Sequence, residues 1–208
     1  MANAASIRKA SLSVVGRPTF VIVGAGQAGA QAAFTLRESG FRGRIVLLGA
    51  EPHAPYMRPP LSKKFLSGEV AQDRVYLRHA SFYQAHDIDL KLGVGVEGID
   101  VGSARVHLTS GLRLGYDRLL LATGMRARRL DAPGSGGPDI HYLRTLQDSL
   151  RLREALAPGR RVVVVGGGYV GLEVAATAAS IGARVRVLEL DERVLRRVTT
   201  PGISEFFT

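Results

Sequence analysis

The residues of this chain best placed to do chemistry are glycines. Gly24-Ala-Gly26-Gln-Ala-Gly29 follows the apolar run Phe20-Val-Ile-Val23, and Gly166-Gly-Gly168-Tyr-Val-Gly171 follows Arg161-Val-Val-Val-Val165. In a G-x-G-x-x-G turn between strand and helix, the first glycine permits a tight turn. The second admits a diphosphate close to the backbone, and the third lets the helix pack on the strand. Amides at the helix start then face the phosphates with the helix dipole behind them. Ala25, Gln27 and Ala28 complete the first cradle; Gly167, Tyr169 and Val170 complete the second. Two cradles imply two dinucleotides, and two dinucleotides imply electrons passed between them.

Charged residues stand at the places such cradles need them. Glu189 lies 18 positions past Gly171, at the end of the second strand of the second unit. A carboxylate there can accept hydrogen bonds from a ribose diol and repel a 2′-phosphate, which favours NADH over NADPH. The alternative is a solvated strand-end acid, and Arg193, Arg196 and Arg197 nearby weigh against a firm preference. In the first unit the matching strand end is Gly49, so Glu51, two positions on, is the candidate ribose contact through a slightly different loop path. Between the cradles runs Pro55-Tyr-Met-Arg58-Pro-Pro-Leu-Ser62-Lys63-Lys64, whose prolines restrict the loop that carries Arg58 and Lys63. Glu173, two positions past Gly171, is either a first-turn acid stabilised by the helix dipole or half of an ion pair. The five histidines show no ligand spacing, and no metal site is assigned.

The elements that must position these residues are legible from periodicity. Strands are predicted at 20–23, 44–48, 75–77, 89–92, 119–121, 161–165 and 184–188, with helices at 26–39, 81–86, 145–156 and 168–181. A helix is expected to begin at 61–66. Short alternating runs broken by Gly98, Gly102 and Gly111 make 93–114 a small antiparallel meander. The fold class is therefore α/β: two Rossmann-like βαβ units, each with right-handed crossover, plus a small antiparallel β-meander. The expected organisation is a flexible tail over 1–18, a first nucleotide-binding domain over 19–130, a linker and amphipathic helix over 131–159, and a second nucleotide-binding domain over 160–208.

Composition narrows the chemistry. The absence of cysteine removes disulfides, thiolate metal sites and any redox-active cysteine pair. The formal charge of +10 comes mostly from arginines scattered over many segments, without aromatic interleaving. That pattern is a solvated surface rather than a nucleic-acid interface. No apolar stretch approaches the roughly 20 residues that span a bilayer, so neither nucleic acid nor membrane is expected as a partner.

The chain resembles the two-dinucleotide flavoproteins, the pyridine nucleotide-disulfide oxidoreductases, and among them the ferredoxin and rubredoxin reductases that serve oxygenases and cytochromes P450. The resemblance rests on the two fingerprints, on Pro55-Tyr-Met-Arg-Pro-Pro-Leu-Ser-Lys63, on Leu121-Ala-Thr-Gly124 and on Gly166–Glu173. It implies an FAD- and NADH-dependent enzyme handing electrons to a ferredoxin- or rubredoxin-type iron–sulfur protein in the cytoplasm. It also implies that Lys63 approaches the flavin and pairs with Glu173. By the same resemblance Arg58, Ala122, Thr123, Gly124 and Arg128 contact FAD, with Val96 near the adenine. Similar proteins are much longer, so the chain is expected to be an N-terminal part that binds FAD weakly or not at all by itself. Other readings are a monodehydroascorbate reductase-like or apoptosis-inducing-factor-like enzyme of the same family, or a nucleotide-binding fragment without turnover.

Overall fold

The computed structural model describes residues 16–208, so most of the tail expected over 1–18 lies outside the described residues. Two compact units result: one holds the chain up to Ala54 together with Ala80–Thr123, the other Pro55–His79 with Gly124–Thr208.

The first unit is built on a four-stranded parallel sheet. Strand β1 (Thr19–Val23) leads through helix α1 (Gln27–Glu38) to β2 (Arg44–Gly49), and helix α2 (Ala80–Ala85) leads to β3 (Ile88–Leu92). An antiparallel meander follows, β4 (Val96–Asp100), β5 (Arg105–Leu108) and β6 (Arg113–Gly115), before β7 (Arg118–Leu121) returns beside β1. The sheet order is β3-β2-β1-β7, all parallel. Alternation along a strand sends successive side chains to opposite faces. Val21, Val23, Val46 and Leu48 bury against Val106 and Leu108 of the meander. Ile22, on the other face, lies beneath α1, where a Cβ built on Gly29 would stand 3.3 Å from its Cγ2. Arg37, in the last turn of α1, ties the far end of the sheet. Its guanidinium donates to the carbonyls of Phe41 and Gly43, each at 2.8 Å, and of His86 at 3.0 Å, and also to that of Asp87.

The second unit contains helix α3 (Leu146–Ala155), strand β8 (Arg161–Val165), helix α4 (Tyr169–Ser180), strand β9 (Arg184–Leu188) and the short helix α5 (Pro201–Phe206). A capping box starts α3: the Thr145 hydroxyl accepts from the Asp148 amide while the Asp148 carboxylate accepts from the Thr145 amide. β8 and β9 pair in parallel, and their inner residues Val162, Val164 and Val185 pack with Val174 and Ala178 of α4 and with Leu66, Leu152 and Leu156. The segment 55–79, drawn along the sequence as part of the first domain, groups with this unit. Tyr56, Leu61, Phe65 and Val75 bury around Leu146 and form its second apolar cluster.

Three local expectations are corrected. The helix expected over 61–66 is instead a single 3-10 turn, Pro59–Ser62, which stops at Lys63, where φ −124 and ψ −124 leave the helical region. The strand expected at 75–77 is the end of a 3-10 turn, Gln72–Val75, followed by one isolated bridge between Tyr56 and Tyr76. Glu173 does not lie in the first turn of its helix; α4 starts at Tyr169, which places Glu173 one turn further in, with no acid in that first turn.

Candidate functional site: two glycine cradles and a clamped loop

The first cradle forms where β1 gives way to α1. Gly24 has φ +113, a conformation closed to residues with a side chain, and its amide donates to the Leu48 carbonyl at 2.8 Å. A Cβ there would come 2.1 Å from the Ala122 carbonyl oxygen, so the end of β7 presses directly on the turn. Ala122 and Thr123 are thereby brought to the first cradle, as expected. A Cβ on Gly29 would fall 2.0 Å from the Gly24 carbonyl oxygen, which explains the third glycine by helix–turn contact. Gly26, the N-cap of α1, behaves differently. Its φ of −92 suits any residue, and a Cβ there would meet nothing within 4 Å. Open space beside a helix start with no acid in its first turn is what an incoming phosphate requires.

The second cradle repeats the first at its three fingerprint glycines. Gly166 has φ +104 and donates to Leu188 at 2.7 Å; a Cβ on Gly171 would lie 2.1 Å from the Gly166 carbonyl oxygen; Gly168 caps α4 and faces open space. Two features differ. A Cβ on Gly166 would meet nothing, because among the described residues β8 pairs with β9 alone and has no counterpart of β7. The second difference concerns the strand end. Leu48 pairs with Val23 and Leu188 with Val165, so Gly49 and Glu189 are equivalent positions. In the first unit a Cβ on Gly49 would stand 2.7 Å from that of Ala25; in the second, Gly167 has no Cβ and Glu189 fills the space. Its Oε2 accepts from the Gly167 amide at 2.7 Å, and its Oε1 from the amides of Leu190 at 2.7 Å and Asp191 at 3.0 Å. The Asp191 and Gly167 amides hold this carboxyl below the ordinary glutamate range.

The loop bearing Lys63 is clamped onto α4. Lys63 Nζ lies 2.6 Å from Glu173 Oε1, and the Ser62 hydroxyl donates to Glu173 Oε2 at 2.5 Å. The Thr177 hydroxyl, four positions along α4, donates to the Ser62 carbonyl at 2.9 Å, while Ser149 of α3 donates to the Leu61 carbonyl at 2.7 Å. Burial pushes the Glu173 carboxyl up, but the hydrogen bonds from Lys63 and Ser62 outweigh it and leave the pKa lowered. The expected Lys63–Glu173 pair therefore forms. Ser62, Thr177 and Ser149 were missed by sequence reasoning, because hydroxyls that bind carboxylates or carbonyls of distant residues leave no pattern in the chain.

The remaining candidates have diverse surroundings. The Arg58 guanidinium lies over the Tyr56 ring, donates to the Tyr56 hydroxyl at 3.2 Å and binds the Arg144 carbonyl; Tyr56 in turn accepts from the Leu146 amide. Arg58 is thus also a structural tie in its own unit. Val96 packs against the core of the first unit. Glu51, half-buried, receives the Gly93 amide on its carbonyl, which fixes the loop after β2. Gly124, with φ +68, stands beside the Arg144 guanidinium, and Arg128 is exposed next to Arg129, which stacks on Tyr142. Tyr169 and Val170 are exposed at the start of α4.

Two glycine cradles, each between a parallel strand and a helix start, define a protein class built to hold two dinucleotides. The chain belongs to the pyridine nucleotide-disulphide oxidoreductase family, whose profile matches residues 18–208. It is 48% identical over 184 residues to a rubredoxin-NAD(+) reductase of Pseudomonas putida, covering 88% of this chain and 48% of that protein. It is 45% identical over 187 residues to a ferredoxin–NAD(P)(+) reductase of Sphingomonas sp, covering 90% of this chain and 45% of that one. Among solved structures, the covalent putidaredoxin reductase–putidaredoxin complex aligns with a TM-score of 0.89 at 43% identity, over 93% of this chain and 47% of that chain. A ferredoxin reductase for the CYP199A2 system of Rhodopseudomonas palustris aligns with a TM-score of 0.87 at 44% identity, over 91% and 46%. The chain spans about half the length of the curated relatives it matches. Among the described residues no helix is long and apolar enough to cross a membrane.

Proposed function

We propose that this chain is the nucleotide-binding part of a cytoplasmic flavoprotein that takes electrons from NADH, passes them through FAD and delivers them to a ferredoxin- or rubredoxin-type iron–sulfur protein. The observation that carries the reading is the equivalence of the two cradles at their glycines, together with the acid at the second strand end. The residues present fit the groups. Gly26 and Gly168 leave open space at helix starts that carry no first-turn acid, so that phosphate can approach the amides. In the first unit Gly24–Gly29, with Ala122 and Thr123 alongside, would hold the FAD diphosphate, and Glu51, two positions past the strand end, would contact its ribose. In the second, Gly166–Gly171 would hold the NADH diphosphate and Glu189 would accept from its ribose hydroxyls.

Bound flavin supplies the ability to accept a hydride and release single electrons. The protein's own work is orientation and charge placement. Lys63 is held in place by its ion pair with Glu173, Ser62 fixes the second carboxylate oxygen, and Thr177 anchors the loop that carries both. None of these groups has to remove a proton, since hydride delivery depends on alignment. The identities of the reductases named above support the electron-transfer reading.

FAD titrated into the chain, followed by quenching of flavin fluorescence, tests the first cradle, and NADH titration tests the second. Saturable binding of each, lost in the Gly26→Ala and Gly168→Ala variants respectively, is the expected result. Binding of neither nucleotide at millimolar concentration refutes the proposal. Reduction of cytochrome c that depends on an added iron–sulfur protein, measured on the full-length protein, tests the acceptor.

A further inference from the structure

Three arginines lie within eight residues of Glu189, close enough in sequence to serve a nucleotide bearing a 2′-phosphate, and each is already engaged. Arg193 donates to the Ser204 hydroxyl and to the carbonyls of Thr199 at 3.0 Å and Arg196 at 3.3 Å, and so acts as the brace of the loop before α5. Arg196 Nη1 donates to Asp191 Oδ1 at 2.9 Å, and Arg197 Nε lies 3.9 Å from Asp191 Oδ2. Asp191 is joined to Glu189 as well, through its own amide. The loop itself is seated on the cradle, since the Leu195 amide donates to the Gly167 carbonyl at 2.9 Å.

We propose that Asp191 is a specificity-determining residue of the second nucleotide site: it withdraws Arg196 and Arg197 from the position where a 2′-phosphate would need them, while Glu189 presents a fixed negative charge there. The inference rests on the reading of Gly166–Gly171 and Glu189 as a dinucleotide site. Glu189 cannot swing aside cheaply, because three backbone amides hold its two oxygens in charge-assisted bonds. A 2′-phosphate would therefore meet one anchored carboxylate, with Arg196 hydrogen-bonded to Asp191 and Arg197 drawn toward the same acid. Rejection of NADPH then comes from two acids with different tasks, one repelling the phosphate and one occupying the guanidinium groups that would neutralise it. A ribose with a free 2′-hydroxyl needs only the Glu189 oxygens and is indifferent to the arginines.

The test measures dissociation constants of ADP-ribose and 2′-phospho-ADP-ribose by calorimetry on the full 208-residue chain. Asp191→Asn should lower the ratio of the two constants (phosphorylated over unphosphorylated) by about tenfold at low salt, with the gain eroded as ionic strength rises. Adding Arg196→Gln and Arg197→Gln to Asp191→Asn should abolish the gain. The two arginine substitutions in the wild-type background should leave the ratio within twofold, since Asp191 already occupies those groups; this arm stands even if Asp191→Asn folds poorly. A ratio unmoved by Asp191→Asn, or weakened binding of the phosphorylated probe in the arginine variants alone, overturns the role of Asp191 and leaves the site reading intact. Failure of the wild type to bind either probe overturns both.

Discussion

Gly24 and Gly166 occupy the same place in the two cradles, yet alanine should be tolerated very differently at each. Both glycines have positive φ, +113 and +104, so both substitutions carry a backbone strain of roughly 1–3 kcal/mol. The methyl group is what separates them. At Gly24 it would stand 2.1 Å from the Ala122 carbonyl oxygen, against an ordinary carbon–oxygen approach of about 3.3 Å. Relief requires the end of β7 to withdraw by about 1 Å, by that same contact distance. Such a shift stretches the Ala122 amide bond to the Val23 carbonyl, now 2.8 Å, a bond contributing about 0.5–1.5 kcal/mol. Overpacking of this kind adds roughly 1–3 kcal/mol. At Gly166 the methyl group meets nothing within 4 Å and only the strain applies. Gly24→Ala should therefore cost about 2 kcal/mol more than Gly166→Ala, the sum of a lost bond and moderate overpacking. Urea titration of both variants of the 208-residue chain, with peptide-resolved hydrogen exchange over β1, β7 and β8, gives the comparison. Faster exchange confined to β1 and β7 in Gly24→Ala is expected. Equal destabilisation, or a larger loss in Gly166→Ala, would show that contact with β7 does not decide the cost.

Gly26→Ala and Gly168→Ala should change stability by no more than about 1 kcal/mol, as expected for alanine replacing glycine at an N-cap, while each weakens its own nucleotide by more than about tenfold. Calorimetry beside urea melts separates the two effects. Glu173→Gln should destabilise the second unit at neutral pH by about 1 kcal/mol or less, because Lys63 is half-exposed and the pair is screened. The folded-state pKa of Glu173 is depressed, so its contribution is present above the ordinary glutamate value and is lost as pH falls through the folded value. The difference between wild type and variant should accordingly vanish on acidification, as read from urea midpoints across pH. Arg37→Lys should recover less than half of the stability lost in Arg37→Ala, since an ammonium cannot reach four carbonyls on two segments at once. Thermal melts of the two variants decide it.

The sequence by itself determined the two cradles, the strands and helices that carry them, the meander and the acid at the second strand end. Each of these is encoded locally: a glycine is required wherever φ is positive or a carbonyl stands 2 Å from its missing side chain, and strand alternation repeats every second residue. The Lys63–Glu173 pair was legible through the resemblance, not through spacing, for the two residues are 110 positions apart. Residues 55–79 show the limit of local signals. Their prolines announced a rigid loop, but its grouping with the second unit follows from the burial of Tyr56, Leu61 and Phe65 with Leu146, a choice among distant apolar partners that no local pattern states. Ser62, Thr177 and Arg37 acquire their tasks only when carbonyls and carboxylates from remote segments converge on them. Asp191 reads as an ordinary surface acid in the chain, and the arginines after it read only as weighing against a firm preference for NADH. Only folding, which seats their loop on Gly167, decides that the acid binds Arg196 and stands 3.9 Å from Arg197.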